Sequence, residues 1–262
     1  MRTAFPPAPD LAIGWRRPAS GPILFARYAY GPNRLGLCGP DDADALFGRG
    51  SADGDERELR QLAMGFEGAY PYLELIARAN GIADPLDRAV VDAYWLGSSL
   101  LEQVTPMLLG ESLRLRFRPR LGRKSWAWLQ ASAPGGAKPV HAFHVLDVFP
   151  KVGLMRGEQA DSVLGVMDSC RVRWGRVRER IGDTLLVNTV PLVLEEGRLA
   201  FGAARLEKVT AWRDGQSFVG EVQANDVISI HWDWACDVLD VDQIGRLVAW
   251  TEREIAIANT TI

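Results

Sequence analysis

The sequence predicts an α+β protein: a mostly helical N-terminal domain over residues 1–150, then a small OB-like β-barrel with a C-terminal helix over residues 168–262. Three observations predict it. Apolar residues recur every three to four positions through much of the first half, as on one face of a helix. From Cys170 onward β-formers come in short runs separated by turn pairs, the texture of a small antiparallel barrel. The last twenty or so residues return to a capped helical pattern. A chain of 262 residues is long for one domain and comfortable for two, and it can bury a sizeable core.

Taken in order, the prolines Pro6, Pro7, Pro9, Pro18 and Pro22 make the first 22 residues poor material for regular structure, while Ile23 to Tyr28 suit a strand or a helix. Between Asp55 and Asn80, the residues Leu59, Leu62, Phe66, Ala69, Leu73, Ile76 and Ala77 form one helical face. Pro71 should kink that helix and Gly81 should end it. Asp84-Pro85 reads as a cap with proline in the first helical position, starting a second helix through Val90, Ala93, Tyr94 and Leu100 or Leu101. A third runs from Pro106 to about Phe117. Ala133 to Pro139 is a loop, and the apolar segment His141 to Val148 is undecided between states.

Strands follow at Arg171–Val177, Thr184–Val190, Leu192–Leu194, Leu199–Phe201, Glu207–Trp212 and Val227–Trp232. Turns are expected at Gly182-Asp183, Glu196-Gly197 and Asp214-Gly215. Asp240 to Gln243 has capping-box form, and Ile244, Leu247, Val248, Thr251 and Ile255 share the face of a helix over roughly 241–258.

Composition narrows the function. With 47% hydrophobic and 24% charged residues, the chain reads as an ordinary soluble globular protein. A net charge of −3 argues against general nucleic-acid binding. No run approaches the roughly 20 apolar residues of a membrane span, and the N-terminus lacks a signal-type apolar run, so neither nucleic acid nor membrane is expected as a partner. Three cysteines, an odd number, fit a reducing cytoplasm better than a disulfide framework. Walker, G-x-S-x-G, HExxH and paired CxxC motifs are absent. The basic run Arg114, Arg116, Arg118, Arg120, Arg123 and Lys124, interleaved with Leu113, Leu115, Phe117 and Leu121, reads as one solvated and one buried face.

Two constellations carry chemistry. Cys38 lies in a Gly/Pro-punctuated loop, Tyr28 to Asp42, and together with His141 and His144 it offers a possible second metal site or a Cys/His nucleophile pair. The His-x-x-His spacing puts both imidazoles on one face only if the segment is helical. The other constellation spans residues 169–237. Ser169-Cys170-Arg171-Val172-Arg173-Trp174-Gly175-Arg176-Val177 opens it, with a cysteine just ahead of a strand. Asn225-Asp226-Val227-Ile228-Ser229-Ile230-His231 leads an Asp-opened strand onto a histidine, and Trp232-Asp233-Trp234-Ala235-Cys236-Asp237 follows.

This order resembles the small iron-carrying chaperones of nickel–iron hydrogenase maturation, the HypC/HupF type, over about residues 168–258. The whole chain also resembles an uncharacterised actinobacterial family encoded near hydrogenase genes. The resemblance implies a barrel followed by a helix, with Cys170 and His231 as ligands of an iron fragment bearing cyanide and carbonyl groups. A soft thiolate and an imidazole suit such a cargo. The implied partner is a maturation scaffold or the hydrogenase large-subunit precursor. Asp233 and Asp237 are candidates to orient the His231 ring, and the Cys38 loop is expected to face the junction between the two halves. In two respects the chain departs from that family: its cysteine is not N-terminal, and Trp174-Gly175 stands where the family has Pro-Gly after the first strand. Two alternatives stay open: a cysteine-dependent enzyme using Cys38 with His141 or His144, and a metal-free assembly factor.

Overall fold

Helix α1 (Gly21–Asn33) sets the architecture, because nearly all of it is buried, including Phe25, Tyr28 and Tyr30. The helix starts inside the stretch expected to be irregular. Pro22 lies in its first turn, where a missing N–H costs nothing. The computed structural model describes residues 19–51, 56–150 and 160–260, so the irregular structure expected for residues 1–18 lies outside the described residues.

Around α1 pack α2 (Ala43–Ser51), α3 (Glu56–Met64) and α5 (Arg88–Leu96). The single kinked helix expected over 55–80 is two helices. The chain turns at Gly65–Ala69, and Pro71 enters the first turn of α4 (Tyr70–Ala79), which avoids the broken ladder that a mid-helix proline imposes. The second helix begins three residues later than expected. Asp87 caps α5 by accepting from the Ala89 N–H at 2.8 Å, while Asp84 accepts from Leu86 N–H at 2.9 Å in the preceding turn. It also ends early, at Gly97 with φ 82°, before a 3₁₀ turn over Ser99–Gln103. Helix α6 (Pro106–Phe117) matches its expectation, with Thr105 as cap. Beyond α7 (Arg123–Ser132) the undecided segment is helical: α8 (His141–Phe143) runs on into a π turn over His144–Val148. The basic run serves the surface in part, with Arg114 paired to Glu111 at 2.7 Å and Arg116 donating to the Glu67 and Gly68 carbonyls.

Helix α9 (Ala160–Cys170) delivers the chain to the barrel. Its strands are β1 (Arg173–Ile181), β2 (Thr184–Thr189), β5 (Arg205–Thr210), β6 (Val227–His231) and β7 (Trp234–Val238), in the order β1-β2-β5-β7-β6 with β6 pairing back to β1. The small OB-like barrel expected from the sequence is thus present, built from these five strands and not from every expected one. Its weakest seam is β5 to β7, a single parallel pair, Thr210 with Trp234. Strands β3 (Leu192–Glu195) and β4 (Arg198–Phe201) form a separate hairpin outside the barrel. Strand β7 is not among the strands expected from the sequence. Its hairpin with β6 turns at Trp232-Asp233 with Trp232 at φ 59°, a conformation that no Gly or Asn signals in the sequence. The closing helix α10 (Val241–Ala258) has the expected capping box, Asp240 with Gln243.

Two apolar cores result. Val177, Leu185, Val187, Val209, Ile228 and Ile230 fill the barrel. A larger core runs from Ile23 to Ala258 and takes in Val172, Trp174, Trp234 and Cys236, so the barrel is welded to the helices over one face. Strand β6 is buried on both faces. Its period of two sends Ile228 and Ile230 into the barrel, and it sends Ser229 and His231 outward against α1, where Tyr28 Oη donates to Ser229 Oγ at 3.0 Å.

Candidate metal centre

The outward register of β6 decides where His231 goes. It lies on the barrel's helix-facing side, 1% exposed, rather than at an open barrel rim. Its Nδ1 is 2.6 Å from the Tyr28 carbonyl oxygen. A carbonyl only accepts, so Nδ1 carries the proton and Nε2 keeps its lone pair. Among the described residues that buried Nε2 has no hydrogen-bond partner. Histidines that bind metals are commonly held this way, by a backbone carbonyl on the far nitrogen. The contact requires α1 to approach closely: a Cβ on Gly31 would lie 2.5 Å from the His231 carbonyl oxygen, so only glycine fits.

Cys170 ends α9, three residues before β1, and is half-buried. The Trp232 N–H donates to the Ser169 carbonyl at 2.7 Å, tying the helix end to the turn that follows His231. Cys170 and His231, distant in sequence, thereby meet. His141, in the first turn of α8, joins them. The ligand atoms of His141, Cys170 and His231 all lie within 4.8 Å of one another. His141 Nε2 donates to the Cys170 carbonyl at 2.9 Å, so its Nδ1 accepts from Tyr94 Oη at 3.1 Å. The imidazoles are edge to face at 5.0 Å, and the Trp95 ring walls both, 4.6 Å from His141 and 5.6 Å from His231.

Burial governs the charge state. It holds His141 well below the ordinary imidazole range, His231 adding to the effect, and it depresses His231 to about 4 against the pull of the Tyr28 and Cys170 backbone carbonyls beside its ring. Burial also pushes the Cys170 thiol up to about 12, with Cys38 adding and the Trp232 indole opposing. All three groups are therefore neutral at pH 7. A thiol in this setting gives up its proton only to something that replaces it with positive charge, which is what a metal does.

The other expected residues fall in different places. Cys38 is exposed, yet desolvation pushes its thiol up to about 12, which puts the sulfur at the edge of the protein interior. It is near enough to Cys170 to raise that thiol. Its loop is pinned: Asn33 Nδ2 donates to the carbonyls of Cys38 at 2.8 Å and Pro40 at 2.6 Å. Gly39, at φ 79°, presses against the Phe66 ring, where a Cβ would come within 2.3 Å. His144 is not in the triad. Its Nδ1 lies 3.4 Å from Tyr72 Oη, and burial lowers it to about 3. Neither acid expected to orient His231 does so: Asp233 pairs with Arg34, and Asp237 with Arg27 at 3.5 Å, because the outward register of β6 leaves the ring to the Tyr28 carbonyl. Tyr28, Gly31, Tyr94 and Trp95 build the site without having been singled out, since in sequence they are ordinary members of apolar helical faces.

Residues 17–262 match the family of unknown function DUF6390. No curated protein and no solved structure matches the chain.

Proposed function

We propose that this chain, which belongs to the DUF6390 family, is a metal carrier that holds iron through Cys170 and His231, with His141 as a third donor. One observation carries the reading: the buried, unpartnered Nε2 of His231 beside the Cys170 sulfur. A lone pair left open in an interior costs stability unless something uses it. Thiolate and imidazole favour a soft or borderline transition metal over magnesium or calcium.

Three donors at most leave coordination positions open. Structural metal sites close all four positions with protein, whereas open positions suit a metal that arrives with ligands of its own or is passed on. Under the resemblance to hydrogenase-maturation chaperones, those ligands are cyanide and carbonyl, and the recipient is a maturation scaffold or a hydrogenase large-subunit precursor. A reducing, cytoplasmic setting suits three free thiols, and no described helix is long and apolar enough to cross a membrane.

Elemental analysis of protein reconstituted anaerobically with ferrous iron tests the reading. Wild type should retain one iron per chain after desalting, and Cys170→Ser and His231→Ala should each bind about tenfold more weakly or worse. Equal retention by the doubly substituted protein would remove the proposal. The metal-free assembly-factor reading has its own support in His141, both of whose ring nitrogens are already engaged. It expects no retained metal in any variant. The cysteine-enzyme reading is less well supported, since a thiol near 12 is almost wholly protonated at pH 7.

A further inference from the structure

We infer that the metal centre takes its ion together with a small anion, of the chloride, azide or hydroxide kind, which fills an open coordination position and accepts a hydrogen bond from the Trp95 indole N–H. The inference rests on the metal-carrier reading above. It adds the chemical class of the co-ligand and the residue that receives it.

Charge gives the first observation. His141 and His231 are neutral donors and Cys170 supplies one negative charge as thiolate, so a divalent ion held by these three keeps one positive charge. Among the described residues no carboxylate belongs to the cluster, and Asp233 and Asp237, which follow His231, pair with Arg34 and Arg27. The imidazoles are 1% and 6% exposed, so that charge would sit in the interior without a counter-charge. A lone charge is costly there, and one anion on the ion removes the cost.

Hydrogen bonding gives the second. Trp95 is 3% exposed, and its ring stands 4.6 Å from that of His141 and 5.6 Å from that of His231. Its Nε1–H is buried and has no hydrogen-bond partner among the described residues, and an indole N–H can only donate. The cluster thus has a donor without an acceptor in the ring that walls it, and a lone pair without a donor on His231 Nε2. These two atoms do not bond each other, whereas an ion on Nε2 that carries an anion towards Trp95 gives each its partner. Binding needs no redox partner. The Cys170 thiol loses its proton to solvent as the metal–sulfur bond forms, the anion donates an electron pair to the metal, and no oxidation state changes.

Cobalt(II), whose visible absorption reports its ligands, and sodium azide serve as probes on the full chain. Wild type, Trp95→Phe and Trp174→Phe are loaded with cobalt and titrated with azide. Trp95→Phe keeps an aromatic ring and loses the N–H. Trp174 is the control, a buried indole whose N–H is likewise unpartnered among the described residues but whose ring packs on Phe201 at 5.4 Å, outside the cluster. All three should take up the same amount of cobalt. Azide affinity should fall about tenfold in Trp95→Phe and stay unchanged in Trp174→Phe, since a hydrogen bond to a charged acceptor is worth at least that factor. Equal azide affinity in wild type and Trp95→Phe, or an equal fall in both variants, would overturn the inference. A cobalt-loaded wild type whose spectrum azide does not change would also overturn it and leave the carrier reading standing. If Trp95→Phe does not fold, indole ¹⁵N–¹H spectra of the zinc-loaded wild type decide: azide should move a buried indole resonance, and an unmoved set would overturn the inference. Failure of the wild type to bind cobalt or iron at all would sink the carrier reading and this inference together.

Discussion

Two buried polar clusters flank residues 168–173, and they solve the same problem in opposite ways. On one side Arg171, fully buried, places Nε and a terminal nitrogen 3.0 and 2.8 Å from Asp168 Oδ1, and donates to the Val190 carbonyl at 2.6 Å. Arg173 meets both oxygens of Glu207 at 2.8 Å. This cluster is charged and mutually paired. On the other side His141, Cys170 and His231 are neutral, and one lone pair is left without a partner. Burial tolerates charge only when it is paired, so the first cluster is a structural weld. A neutral cluster with an open lone pair suits the ligand role proposed for it. The difference is between charges held by counter-charges, with Arg171 Nη1 and Arg173 Nε still unpartnered among the described residues, and a neutral cluster whose open atom is a lone pair.

The largest test of this contrast is Asp168→Ala. It leaves Arg171 buried without its carboxylate, and we expect a loss of about 3–5 kcal/mol in denaturant-measured stability. A loss under about 1 kcal/mol would erase the distinction. Glu254 sharpens it as a third case. One of its oxygens accepts from the Lys138 N–H at 3.3 Å, the other has no hydrogen-bond partner among the described residues, and burial raises its carboxyl to about 8 from an ordinary 4.5. It meets burial by keeping its proton. The stability associated with that raised value is fully present below about pH 4.5 and is lost as pH rises towards 8, since the unfolded chain gives up the proton first. Glu254→Gln should remove this dependence, gaining on the order of 3 kcal/mol over wild type at pH 7 and nothing near pH 4. Parallel stability–pH curves for the two proteins would contradict it.

Gly31→Ala probes the seam itself. Its Cβ meets a backbone oxygen, which cannot swing aside as a side chain can, so α1 must shift from β6 at a cost of about 1–3 kcal/mol. Metal affinity should fall with it, because the shift moves the Tyr28 carbonyl that holds His231. A destabilised variant with unaltered metal affinity would show that the Tyr28 bond does not tune the site. The smallest expected effect belongs to Cys170→Ser without metal. The substitution is nearly isosteric and no charged partner depends on the sulfur, so the change in unfolding midpoint should correspond to about 1 kcal/mol or less. A loss as large as that of Asp168→Ala would make Cys170 structural and break the comparison.

Much of the fold was legible because local rules suffice for it. The turns at Gly182-Asp183 and Glu196-Gly197, the cap at Asp240 and the faces of α6 and α10 need only their own residues and near neighbours. Errors arose where a distant contact overrode the local signal. Pro71 and Asp84 announced features that the chain realises a few residues away. Strand β7 stayed hidden because its turn uses Trp232 in a left-handed conformation, held by pairing with β6 and the bond to Ser169. For the site, Cys170 and His231 were legible through their order along the chain. The place of His141 was not, because it was grouped with Cys38 and His144 in a second site, and its meeting with Cys170 depends on how α8 packs.

By itself, then, the sequence determined element types, the order of helices before barrel before helix, and three residue types able to hold a soft metal. Hydrophobic period, proline and glycine positions and caps are properties of short windows, and short windows are what a sequence displays. Tertiary structure alone decided that His231 faces α1 rather than the barrel interior, that its Nδ1 and not its Nε2 is bonded, and that His141 rather than His144 completes the cluster. Those outcomes depend on strand register and on the depth at which α1 meets β6. Both are set by packing between residues some two hundred positions apart, Tyr28 and His231 being the pair that matters most.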